Sequence, residues 1–282
     1  MLPDPPALGS VGVSEWAEVA DRIFQRRYQP MDISITVVIG ANAALVVDTR
    51  ASHRQAREIV EDLRELGPAP VRWVVDTHAH FDHSFGNAVF ADIGAELIGH
   101  VLVPAHLDAY ERPDLARRIA EEDDPDWAEV VITPPHRLVE DGARLEVGGR
   151  EVVLRHLGRG HTDNDLFLHV PDAGCWMAGD EVEESGPPMY GSGSFPLDWP
   201  GTVAAFCAEL EPGAVIVPGH GAPVDAAFVT AQQADLATVA SLVRELHAAG
   251  VTESDAVAEG ADRWPIPDGF AAAAVRDGYR QL

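Results

Sequence analysis

The stretch Thr77-His78-Ala79-His80-Phe81-Asp82-His83 reads H-x-H-x-D-H and directly follows the apolar run VRWVVDT (71–77). Such a run predicts a short buried strand, which places the histidines on the loop at the strand's end. Three imidazoles and one carboxylate lie there within six residues, 78–83. Neutral imidazole and carboxylate are good ligands for zinc and related ions. A loop at a strand end lets side chains converge on one point, which a regular strand or helix could not arrange at these spacings.

Upstream, ISITVVIG (33–40) and AALVVDT (43–49) predict two strands joined by a turn at Gly40-Ala41-Asn42. Helical spacing over 52–66 ends at Gly67-Pro68. Residues 1–14 are rich in Pro, Gly and Ser and read as a loose lead-in; they lack the basic and apolar regions of a signal peptide. Downstream, the patterns predict a short helix over 83–91, a strand over 95–100, helix over 101–120 and an acidic break at 121–126. Short strands are expected over 136–156, with turns at Asp141-Gly142 and Gly148-Gly149. LFLHV (166–170), CWMAG (175–179) and AVIVPG (214–219) predict further strands, and helices are expected near 200–210 and over 226–249. Mixed strands covered by helices point to a layered α/β architecture. No short repeat and no linker composition interrupts the chain, so one domain over 1–282 is expected, with a partly helical C-terminal extension over about 223–282.

Three later features each lie just past a hydrophobic run: Gly160-His161-Thr162, Gly179-Asp180 and Pro218-Gly219-His220-Gly221. Together with H-x-H-x-D-H, in this order, they resemble the signature of the metallo-β-lactamase superfamily over roughly residues 33–222. The resemblance implies that family's αββα sandwich, two mixed β-sheets packed face to face with helices on the outer faces. It also implies a site for two zinc ions per chain, with iron or manganese as alternatives. His78, His80 and His161 would hold the first ion; Asp82, His83 and His220 would hold the second. Asp180 would bridge them, with a water or hydroxide between the ions. The carboxylates Asp82 and Asp180 would then belong to the catalytic set. Two divalent ions would lower the pKa of that water, so that hydroxide exists at neutral pH to attack a carbonyl. No GxSxG elbow, P-loop or G-x-G-x-x-G competes with this reading.

The formal net charge is −26, and all 20 basic residues are Arg. Such acidity disfavours nucleic acid and anionic membranes, so a small-molecule substrate is the expected partner, and self-association into a homo-oligomer is compatible with the sequence. Two cysteines, Cys175 and Cys207, are too few for a disulfide framework and sit in apolar settings. With no stretch long enough to span a bilayer, a cytoplasmic location is the expectation.

Asp48, at the end of its strand, is placed to hydrogen-bond a ligand histidine or to act as a plain turn or cap residue. Asp163, Asn164 and Asp165 are expected to fix the loop after His161. Glu181, Glu183 and Glu184 read as a solvated acidic run, and His100, His106, His136, His156, His169 and His247 as structural. The loop 185–199, with Met189, Tyr190, Phe195 and Trp199, is read as a substrate wall in which Tyr190 and Phe195 touch substrate; the alternative is that its aromatics plug the core.

Within the resembled family, an Asp at position 180 argues against the true β-lactamases. Glu181-Val182-Glu183-Glu184 lacks the Tyr that quorum-quenching lactonases carry near this point. Glyoxalase-II-like thioesterases share all seven ligands but use a basic C-terminal patch, and here only Arg244, Arg263, Arg276 and Arg280 are available. The expectation is hydrolysis of an ester, thioester or lactone. The alternatives are a glyoxalase-II-like thioesterase and a mononuclear iron persulfide dioxygenase, with β-lactam cleavage less favoured.

Overall fold

β-Branched and apolar runs become strands, and their alternation decides which layer each side chain enters. The computed structural model describes residues 16–282, so the expected lead-in at 1–14 lies outside the described residues. The strands are β1 (Ala17–Ala20), β2 (Ile23–Tyr28), β3 (Ile33–Ile39), β4 (Ala44–Val47), β5 (Val71–Val75), β6 (Glu96–His100), β7 (Arg137–Val139), β8 (Gly142–Val147), β9 (Arg150–Arg155), β10 (Phe167–Val170), β11 (Cys175–Glu183) and β12 (Val215–His220). They run in the order β7-β6-β5-β4-β3-β12-β11-β10-β9-β8, with β2 paired to β3 and β1 to β2. A single register pair, His220 with Ile33, joins β12 to β3. The ladder is therefore two mixed halves hinged at one point.

The two halves face each other across a shared core. Val38, Leu45, Val75 and Ile98 from one half meet Val147, Leu154, Leu168, Met177 and Val217 from the other. Side chains one residue away point outward, as strand alternation requires. Ile35, Val37 and Val46 pack under helices α1 (His53–Asp62) and α2 (Asn87–Asp92). Trp176, Ala178 and Val182 pack under α3 (Trp199–Glu209), α4 (Ala226–Ala248) and α5 (Asp268–Arg280). Helix, sheet, sheet and helix form four layers, the αββα sandwich. Each fully buried Val, Leu or Ile contributes about 1.5–3 kcal/mol of transfer free energy, so both faces of the strands hold the layers together. Among the described residues no helix is long and apolar enough to cross a membrane.

Several local expectations need correction. The strand expected at 175–179 runs on to Glu183, and all nine of its residues are buried. It gains this length by pairing with β12 as far as Glu183 against His220. Glu181 and Glu183 are therefore not a solvated run: they are 0% and 7% exposed. The helix expected over 83–91 is two pieces, Phe81–Ser84 and Asn87–Asp92. Asp82 and His83 thus sit on a helical turn and not on an open loop. The helix expected over 101–120 contains a π-helical turn, Leu107–Glu111. The strands β1 and β2 carried no period-2 apolar signal and are recognisable only by their pairing, β2 with β3 and β1 with β2.

Candidate metal centre

The ends of β5 and β12, the second half of β11 and the turn between β9 and β10 meet at one edge of the sandwich, and each delivers its polar residues there. All seven residues picked out by pattern come together, and all are buried. His78, His80 and His161 offer nitrogens within 4.8 Å of one another, and Asp82, His83 and His220 form a second such group. Asp180 lies between them. Its Oδ2 is 3.4 Å from His161 Nε2 and 3.5 Å from His220 Nε2, and its Oδ1 is 3.2 Å from His83 Nε2.

Outer hydrogen bonds decide which nitrogen faces inward for His78, His80, His83 and His220, whereas the outer Nδ1 of His161 is buried without a hydrogen-bond partner among the described residues. His80 Nε2 donates to the Ser192 carbonyl at 2.9 Å, which leaves Nδ1 as the lone pair. His220 Nδ1 donates to the Met31 carbonyl at 2.8 Å, which leaves Nε2. His83 Nδ1 donates to Asp48 Oδ2 at 2.8 Å. Thr77 Oγ1 donates to Asp48 Oδ2 at 2.8 Å and so accepts from His78 Nδ1 at 3.1 Å. The inward nitrogens then crowd one another: His80 Nδ1 is 2.8 Å from His161 Nε2 and 3.1 Å from His78 Nε2, and His83 and His220 Nε2 are 3.3 Å apart. Ring nitrogens crowded against one another beside the buried Asp180 carboxylate make a donor set that suits a cation once those that carry protons release them. The residues present therefore fit a bound metal.

The two groups differ in charge. Burial pushes His161 down to about 3 and His78 well below the usual imidazole value, so both are neutral. Burial would lower His83 and His220 as well, but Asp180, Asp82 and other carboxylates outweigh it and raise both. Asp82 is held down at about 2 in spite of its burial, by His83 and His220.

The backbone is shaped for this approach. Asp48 sits at φ 64°, a region rarely used by residues other than Gly, Asn and Asp. This lets its carboxylate return to the Thr77 N–H at 2.7 Å as well as to His83. At Gly219 a Cβ would lie 1.8 Å from Asp180 Oδ1, so no other residue fits beside that carboxylate. Asn164 Oδ1 accepts from Ala79 N and Asp165 Oδ2 from Thr162 N, which fixes both loops.

Sequence reasoning missed three buried acids and one histidine. Glu181 accepts from His161 N and lies against Asp165; burial and that neighbour hold its carboxyl well above its usual range. Glu183 joins His161 and Asp180 in a further group of convergent ligand atoms, and burial and Asp180 push it up to about 8. Glu111 and His106 lie against His80. An apolar stretch preceding Asp180 was the only sign that the following glutamates would be carried inside. Tyr190 is corrected: it is 3% exposed, in the core against Trp199, because the loop tucks its ring beneath the helix at 199–209. Phe195 is half-buried beneath the Arg159 guanidinium.

The sequence model of the metallo-β-lactamase superfamily matches residues 28–220. Hydroxyacylglutathione hydrolase of Anaeromyxobacter dehalogenans is 27% identical over 233 residues, 80% of this chain and 77% of that protein. Acyl-coenzyme A thioesterase MBLAC2 of Homo sapiens is 26% identical over 212 residues, 66% of this chain and 72% of that protein. A shorter match, 27% identical, to metallo-β-lactamase IND-1 of Chryseobacterium indologenes covers 29% of this chain but only 36% of that protein. Among solved structures, the inverting sec-alkylsulfatase Pisa1 of Pseudomonas sp. superposes with a TM-score of 0.74 at 18% identity, over 95% of this chain and 50% of that one.

Proposed function

The chain belongs to the metallo-β-lactamase superfamily, and from that premise we propose that it hydrolyses a small ester, thioester or lactone with a pair of zinc ions. The carrying observation is that Asp180 touches both groups of inward-facing imidazoles, within 3.2–3.5 Å of His83, His161 and His220. In this reading His78, His80 and His161 hold one ion, Asp82, His83 and His220 the other, and Asp180 both. Bound divalent ions supply Lewis acidity and a water of lowered pKa.

The protein's own contribution is orientation. Asp48, Ser192 and Met31 hold three ligand rings in the rotations that face the site. The names of two relatives matched over most of this chain, a hydroxyacylglutathione hydrolase and an acyl-coenzyme A thioesterase, favour the thioester among the three bond types. The complete set of seven ligand atoms favours hydrolysis over a mononuclear dioxygenase, which needs fewer.

Metal analysis of the purified protein, followed by a panel of esters, thioesters, lactones and β-lactams, tests this reading. Two zincs per chain and thioester turnover are expected, with His80→Ala slower by about a thousandfold or more, since a metal supplies several kcal/mol of transition-state stabilisation. Undiminished turnover in His80→Ala, or one iron per chain with oxygen uptake, overturns it.

A further inference from the structure

A carboxylate and an imidazole outside the seven ligand positions lie buried against His80. The π-helical turn Leu107–Glu111 carries Glu111 at its end and follows His106 directly. π-Helical spacing of about five residues brings the two side chains to one face. Glu111 is 2% exposed. Its Oε2 accepts from the Phe81 N–H at 3.1 Å, and its Oε1 accepts from the Ser192 hydroxyl at 3.1 Å. The carbonyl of that same Ser192 accepts the Nε2 proton of His80.

His106 completes the arrangement. Ala79 N–H fixes Asn164 Oδ1, which turns Asn164 Nδ2 toward His106 Nδ1 at 3.1 Å. The proton of a neutral His106 then sits on Nε2, 3.6 Å from Glu111 Oε1. The backbone on either side of Ser192 is glycine. A Cβ at Gly191 would meet His80 Cε1 at 3.1 Å, and one at Gly193 would meet His106 Cε1 at 2.7 Å. Two glycines leave this segment little conformational restraint of its own. Backbone bonds from Gly191 N to the Met189 carbonyl and from Ser194 N to the Gly191 carbonyl shape the turn, and the bond to Glu111 is the one the Ser192 side chain itself makes.

We propose that Glu111 is a positioning residue that clamps Ser192 and, through the Ser192 carbonyl, fixes His80 in the tautomer and rotation that turn Nδ1 to the metal. Order in the 185–199 loop and metal affinity at the His78–His80–His161 group are then one property. The proposal rests on the reading of His80 as a ligand given above.

Titration of the apoprotein with Co(II) and with Zn(II) against a chelator tests it, in the parent, Glu111→Ala, Ser192→Ala and the double variant. Loss of an outer partner of a ligand histidine weakens metal binding by about 10–100-fold. That loss is expected in Glu111→Ala, together with a changed Co(II) visible spectrum and faster proteolysis within 185–199. Ser192→Ala should move in the same direction, and the double variant should be no weaker than Glu111→Ala alone. Parent-like affinity and spectra in both single variants overturn the proposal. Should Glu111→Ala fail to fold, Ser192→Ala, at an exposed position, decides alone. A parent that binds neither metal overturns the site reading and the clamp with it; a parent that binds while the variants are unaffected overturns only the clamp.

Discussion

The two halves of the candidate metal centre, one of three histidines and one of two histidines and an aspartate, sit in opposite electrostatic surroundings. His78 and His161 are lowered by burial and carry no charge. In their group the outer nitrogens of His78 and His80 meet neutral partners, Thr77 Oγ1 and the Ser192 carbonyl. His83 and His220 are buried just as deeply, yet Asp180, Asp82, Asp48 and Glu183 raise them. A buried charge is tolerated only when it is paired. His83 and His220 therefore hold protons more tightly than His78 and His161, and a metal bound at the second group would compete with those protons.

Removing the shared carboxylate should have the largest effect. Asp180→Ala is expected to lower metal content in both groups and to cut turnover by about a thousandfold or more, a loss of several kcal/mol of charge stabilisation. Plasma emission analysis beside initial rates checks this. If one metal stays at full affinity, the two groups are more independent than the distances to Asp180 imply.

Acidity should separate the halves next. Because His83 and His220 are raised, they are protonated in the metal-free protein below their folded pKa values. Metal affinity at their group should then fall as pH drops, about tenfold per unit for each proton displaced. His78 and His161 are lowered, so neither of these two rings should release a proton to an entering metal until far more acidic conditions. Calorimetric titration in buffers of different ionisation enthalpy counts the protons released by each ion. Equal proton release from both would break the contrast.

Asp48→Asn should be the mildest change. It weakens the partner of His83 Nδ1 and should lower affinity at the second group by about 10–100-fold while sparing the first. Chelator competition resolves the two ions. An equal loss at both would mean that Asp48 acts through Thr77, which also contacts His78.

The sequence reading located the centre of this molecule because its ligands are local in kind: H-x-H-x-D-H is contiguous, and His161, Asp180 and His220 each follow an apolar run. Asn164 and Asp165 were legible as supports of the loop after His161, whereas the sequence left Asp48 between a partner of a ligand histidine and a plain turn residue, and the structure places it on His83. The glutamates after Asp180 were misread because nothing in Glu181-Val182-Glu183-Glu184 distinguishes a buried strand from a solvated turn. That depends on β12 lying alongside as far as His220. Tyr190 was set at a substrate wall on composition, and loop closure over Trp199 carried it into the core.

By itself, the sequence determined the layered class, most of the strands and the seven candidate ligand positions, since apolar periodicity and ligand chemistry are properties of neighbouring residues. Only the tertiary structure decided which ring nitrogen faces inward, which half of the site holds protons more tightly, and that Glu111 and His106 stand behind His80. Those outcomes depend on contacts between residues as much as 189 positions apart, as with His220 and Met31, and on burial, which sets the cost of each charge.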